Sequence, residues 1–206
     1  MIGIIDYGLG NIKAFSNIYK SFGIEHKIVK EKTDLENIEK IILPGVGAFD
    51  DAMKKFNDSG LRDIVEKLVI GEKKLPILGV CVGLQMLGNS SEEGCEKGLG
   101  WIDGEVKKID VSTIKHHTKL PHMGWNSLQL NDKNEPLFKS INSNDRFYFL
   151  HSYYFQCKNE TNILAYSKYG IKFTCSLKKN NIYGVQFHPE KSLVNGEKLL
   201  FNFSTI

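Results

Sequence analysis

Along the first half of the chain, apolar runs of strand length alternate with stretches whose apolar residues recur at helical spacing. The runs are residues 2–6 (IGIID), 26–29 (HKIV), 39–43 (EKIIL) and 76–80 (PILGV). Between them, residues 11–23 read as a helix stopped by Gly23, and residues 49–72 read as one or two helices. Strands alternating with helices predict βαβ units, hence a parallel sheet with right-handed crossovers.

After Gly94 the period shortens. Segments 98–109, 145–157, 163–170 and 172–187 are short, aromatic and β-branched, and the last contains the hairpin-like turn KKNNIYG. Residues 195–204 close the chain as a helix. The predicted class is α/β: a mostly parallel central sheet flanked by helices, with additional antiparallel strands in the second half. No repeat, low-complexity segment or linker divides the sequence, so residues 1–206 are expected to form a single domain around one core.

Composition removes several function classes. The chain has 206 residues, 41% hydrophobic and 25% charged, with a net charge of only +3. Its lysines are interspersed with acids, which argues against nucleic acid as the main partner. No apolar run reaches bilayer length, and MIGIIDYGLGN has neither the basic start nor the apolar core of a signal peptide. The four cysteines (Cys81, Cys95, Cys157, Cys175) form no CxxC pair, so neither a metal site nor a thioredoxin-like motif is expected. Reduced thiols fit a cytoplasmic protein.

The stretch LPILGVCVGLQML, residues 75–87, carries the candidate nucleophile. A buried strand ends there and a helix begins at once, with Cys81 in the turn between Gly79 and Gly83. Such a strand–nucleophile–helix turn strains the backbone and leaves no room for side chains two residues either side. The helix N–H groups that follow favour thiolate over thiol. A structural buried cysteine is the alternative, so the assignment needs a base.

The base stands at YGVQFHPEKS, residues 183–192, where another buried strand ends on His188-Pro189-Glu190. Pro189 biases His188 toward extended backbone, and residues i and i+2 then project to one side. Glu190 can thus fix the His188 tautomer and support its imidazolium. A third element, Pro44-Gly45-Val46-Gly47, is a glycine loop between strand and helix. Its peptide N–H groups can face an anionic oxygen, so Val46 is an oxyanion candidate together with the N–H of Val82.

With PGVG, GVCVGLQML and FHPEKS in this order, the chain resembles the class I glutamine amidotransferases, and LPHMGWN and FYFLHSYY are similar to the glutaminase subunits of imidazole glycerol phosphate synthases. The resemblance runs from DYGLGN to the last helix. It implies a glutaminase with a Cys81–His188–Glu190 triad, no cofactor, and glutamine held by Gly47, Gln85 and backbone groups near Ser152 and Tyr153. It also implies a heterodimer with a (β/α)8 cyclase/synthase subunit, which turns the ammonia into imidazole glycerol phosphate and AICAR in histidine biosynthesis. His122, Met123, Trp125, Asn126 and Lys191 would face that subunit. The elbow departs mildly from the family, with Val82 and Leu84 in place of the more usual Leu and Met.

Competing readings are weaker. DYGLGN places Gly8 and Gly10 after a strand, but Lys13 fills the third glycine position of a dinucleotide fingerprint. His116 and His117 in KHHTK lack a third metal ligand and read as a solvated loop. The aromatics of residues 146–157 alternate as in a half-buried strand rather than a base-stacking platform. The alternative for the HMGWN cluster is a strand end with Trp125 as a core tryptophan. A non-catalytic scaffold subunit is disfavoured because all three triad residues are present. A paralogous glutaminase feeding a sugar-modifying amidotransferase is the alternative partner reading, prompted by the bulky KSLVNGEK after the triad.

Overall fold

The computed structural model describes residues 1–112, 114, 119–132 and 134–206. The KHHTK histidines lie outside the described residues. The first half follows the expected alternation: β1 (Ile2–Ile5), α1 (Ile12–Ser21), β2 (His26–Val29), β3 (Lys40–Gly45), α2 (Phe49–Asp58), α3 (Arg62–Ile70), β4 (Ile77–Cys81) and α4 (Val82–Met86). Residues 49–72 therefore hold two helices, broken at Gly60. The second half contains β5 (Ser90–Ser91), β6 (Gly104–Lys108), β7 (His122–Ser127), β8 (Gln129–Leu130), β9 (Arg146–His151), β10 (Tyr153–Cys157), β11 (Ile163–Tyr169), β12 (Ile171–Lys179), β13 (Ile182–Val185) and the closing helix α5 (Leu193–Thr205).

The main sheet runs β2-β1-β3-β4-β13-β12-β11-β8. It is parallel from β2 through β13 and antiparallel from β13 to its far edge, so the class is α/β with an antiparallel extension. The central strands β1, β3, β4 and β13 read as unbroken apolar runs because both faces are covered. Helix α1 packs against α5, with the Tyr19 hydroxyl reaching the Leu200 carbonyl, and α2 packs against α4. One continuous cluster of buried side chains includes Phe15, Phe56 and Leu78 from the first half and Phe149, Phe173 and Phe187 from the second.

Residues 146–157, which alternate without interruption in the sequence, divide at Ser152 into strands of two different small sheets. β9 pairs antiparallel with β7, and β10 pairs antiparallel with β6. Among the described residues, no helix is long and apolar enough to cross a membrane.

Candidate active site

Strands β3, β4 and β13 are neighbours, and their carboxyl ends lead to one cavity of about 580 Å³. This is where open α/β sheets place ligands. Cys81 ends β4 with φ 55° and ψ −109°, a conformation that a non-glycine residue holds only when its surroundings impose it. The surroundings are backbone. A Cβ on Gly79 would lie 2.6 Å from the Gly83 carbonyl oxygen, and one on Gly83 would press into the Leu43 carbonyl. The register opposes Gly45 to Cys81, and a Cβ on Gly45 would strike the Val82–Gly83 backbone. Val46 and Val82 therefore follow two chain segments in van der Waals contact, and both line the cavity with Gly47.

His188 is clamped before it is polarised. Its N–H donates to the Tyr148 carbonyl (2.8 Å), and its own carbonyl accepts from the Ser192 hydroxyl (2.6 Å). Ser192 Oγ in turn accepts from the Tyr148 N–H (2.9 Å). With the backbone fixed, Nδ1 meets Glu190 Oε1 at 2.9 Å, and both side chains are almost wholly buried. Burial opposes a charge on the ring, but the Cys81 sulfur and the Glu190 carboxylate outweigh it and raise the His188 pKa to about 10. Cys81 makes the larger contribution to that rise. Its Sγ also lies 3.9 Å from the Leu150 carbonyl oxygen and 3.7 Å from Gln186 Nε2.

One wall of the cavity is the β9–β10 kink, with Ser152 and Tyr153. Gln85 reaches it from α4: its Nε2 donates to the Tyr153 carbonyl (3.1 Å) and to Gln186 Oε1 (3.2 Å). Lys191 is exposed and lines the rim. Cys81, His188, Val46, Gly47, Val82, Gln85, Ser152, Tyr153 and Lys191 thus converge on one space, with Glu190 behind the histidine.

The strand β7 residues divide by face. Met123 is 65% exposed and Trp125 44%, with Trp125 edge-on to the Tyr148 ring. The core alternative for Trp125 is therefore wrong, and Trp101 is the buried tryptophan. Asn126 is half-buried, its amide donating to the Lys168 carbonyl (2.9 Å). His122 corrects the expectation for a surface group. It is 4% exposed, because the two-residue period of the strand turns 122 and 126 inward where 123 and 125 face out.

Several cavity residues have no local sequence signal. Gly10 and Asn11, in the loop set aside as a failed dinucleotide fingerprint, line the cavity. A Cβ on Gly10 would lie 2.6 Å from Pro44 Cβ, and the Tyr7 hydroxyl donates to the Pro44 carbonyl (2.8 Å). That loop therefore braces the PGVG turn. Glu93 lines the same space and accepts the Phe49 N–H at the start of α2 (2.9 Å). His151 also lines it, Gln186 is buried against Cys81, and both appear only once distant strands are assembled.

Fold and cavity place a cysteine at a strand-to-helix elbow on the same cavity as a carboxylate-backed histidine. The family model described as glutamine amidotransferase class-I matches residues 3–206, and the chain belongs to that family. Over 206 residues, and the whole of both chains, it is 50% identical to "Imidazole glycerol phosphate synthase subunit HisH" of Leptospira borgpetersenii. It is also 50% identical over the same span to the protein of that name from Bdellovibrio bacteriovorus. A solved structure described as a crystal structure of glutamine amidotransferase shares the fold, with a TM-score of 0.74 at 21% identity, covering 100% of this chain and 99% of the other.

Proposed function

We propose that this chain is the glutaminase subunit of an imidazole glycerol phosphate synthase, hydrolysing glutamine to glutamate and ammonia for histidine biosynthesis. The observation that carries the reading is the constellation at the carboxyl ends of β4 and β13: a strained Cys81 beside a clamped His188 backed by Glu190. His188 takes the Cys81 thiol proton as the sulfur attacks the side-chain amide carbon of glutamine, and the oxygen's developing charge is met by the N–H groups of Val46 and Val82. His188 gives its proton to the departing nitrogen, and ammonia leaves behind a thioester. Water then attacks that carbon, His188 takes the proton, and glutamate and the thiol are released. Gly47, Gln85, Ser152 and Tyr153 form the pocket for the amino-acid end of the substrate.

The relatives' names describe a subunit, so a second polypeptide receives the ammonia. We assign it to a (β/α)8 synthase subunit in a cytoplasmic heterodimer. Met123 and Trp125, with Asn126 at the edge and Lys191 on the rim, form the docking face. The alternative acceptor, an amidotransferase acting on a sugar, rests on the bulky segment after His188-Pro189-Glu190, in which Leu193 and Val194 are 69% and 68% exposed. Complementation separates the two. Growth of a histidine auxotroph lacking its glutaminase subunit supports the synthase reading. Failure to grow, with a stable and glutaminase-competent protein, removes it.

A further inference from the structure

Two buried histidines beside the cavity take no part in the chemistry above. His122 on β7 and His151 at the end of β9 sit opposite one another in the strand pair. We propose that they are positioning residues for the glutamine pocket, forming a one-directional hydrogen-bond chain from Asn126 to the Tyr153 carbonyl; the inference rests on the glutaminase reading.

The direction follows from the partners. His151 Nδ1 lies 2.8 Å from the Tyr153 carbonyl oxygen, which only accepts, so that nitrogen carries the proton. Its Nε2 is then an acceptor, and His122 Nδ1, 3.1 Å away, must donate to it. His122 Nε2 is left as an acceptor and faces Asn126 Nδ2 at 3.4 Å. The orientation of that amide is fixed independently, because Asn126 Oδ1 accepts the Ser127 N–H (2.9 Å) while Nδ2 also donates to the Lys168 carbonyl (2.9 Å). Each ring has one permitted tautomer, with the proton on Nδ1.

The surroundings keep both rings neutral and still. His122 is stacked against Phe149 and Tyr169, with centroids 5.0 and 4.2 Å away, and His151 packs against Phe173. Burial lowers the His122 pKa to about 4. Burial, then proximity to His122, lowers that of His151 to about 3 against the opposing bond to Tyr153. At neutral pH the chain therefore keeps a single direction.

The Tyr153 carbonyl takes one donor from His151 and a second from Gln85, so both its lone pairs are engaged. The Ser152 carbonyl accepts from the Ile109 N–H at 3.0 Å. The kink that walls the pocket is thus held from both sides by bonds other than the ones that clamp His188 to Tyr148, Ser192 and Glu190. Losing the histidine pair displaces the wall on which substrate rests and leaves the reacting groups in place. The expected signature is a change in KM without a matching change in kcat.

The test begins with the wild-type full-length chain. Long-range ¹⁵N–¹H correlation spectra at neutral pH should show both His122 and His151 as Nδ1–H tautomers. Finding either as the Nε2–H form overturns the proposal whatever the activity. Glutaminase kinetics on the complex with its partner subunit follow. His122→Phe keeps the stack but removes the donor, and should raise KM for glutamine about tenfold, the effect of one hydrogen bond, with kcat within about twofold. His122→Asn, whose amide occupies the place of Nδ1, should restore most of the loss, and it also decides the matter if the phenylalanine variant does not fold. An unmoved KM in the folded His122→Phe variant, or no recovery with Asn, overturns the positioning role alone. Absence of glutamine hydrolysis in the wild-type complex overturns the glutaminase reading, and this inference with it.

Discussion

Strand β4 delivers Cys81 through backbone geometry, whereas β9, β10 and β13 deliver His188 and the Ser152–Tyr153 wall through hydrogen bonds made across the fold. On the parallel side, glycines at 45, 79 and 83 allow chain segments to touch, and the contact itself forces the cysteine into its strained conformation. On the antiparallel side, His188 depends on Tyr148 and Ser192, and the pocket wall depends on Gln85 and His151. The first arrangement is all-or-none, since a single methyl group disrupts it. The second is graded, because each hydrogen bond contributes its own small share.

The largest expected effect falls where the two sides meet. His188→Ala should lower glutaminase turnover by about three orders of magnitude or more, close to the loss caused by Cys81→Ala, because the pair acts as a unit. A loss confined to tenfold would mean that Cys81 has another base. Next comes the backbone side: Gly83→Ala should destabilise the fold by about 3 kcal/mol in denaturant titration, since the added carbon meets a main-chain carbonyl that cannot move aside. A neutral effect there would show that the elbow is not held by close packing.

Legibility in the sequence followed the same division. The cysteine elbow and the HPE turn were readable because each is specified within about ten consecutive residues. The parallel strands were readable because strands covered on both faces are apolar throughout. His151, Gln186, Gly10 and Glu93 were not, since only the sheet order brings them to Cys81. The division of residues 146–157 at Ser152 was hidden because side-chain alternation continues through the kink. The face of β7 that turns inward was hidden for a related reason: a two-residue period does not say which set is buried, so His122 was misplaced on the surface.

Smaller effects test the antiparallel side. Trp125→Ala should weaken partner binding by about 2 kcal/mol, as for an aromatic anchor, while leaving the stability of the isolated chain unchanged. Acid stability comes next. His122 and His151 titrate near 6.5 when unfolded and lower in the fold, near 4 and 3. As pH falls below 6.5 the unfolded chain takes up their protons first, so folding stability drops by about 1.4 kcal/mol per pH unit for each. Above 6.5 both rings are neutral in either state and their contribution vanishes. Denaturant titrations at pH 7 and pH 5.5 should show the drop, and His122→Phe should halve it. Cys95→Ser, at an exposed position, should change stability by no more than about 0.5 kcal/mol.

Cysteine accessibility gives the most direct test of the central claim, because accessibility and chemistry point to different residues. Cys95 is exposed and Cys157 half-exposed, whereas Cys81 is buried beside His188. The complex should be treated with a glutamine analogue that alkylates thiols, and the adducts mapped by mass spectrometry. The expected result is a single adduct on Cys81, suppressed by excess glutamine and strongly slowed in His188→Ala. Labelling that favours Cys95, or Cys81 labelling indifferent to glutamine, would contradict the account.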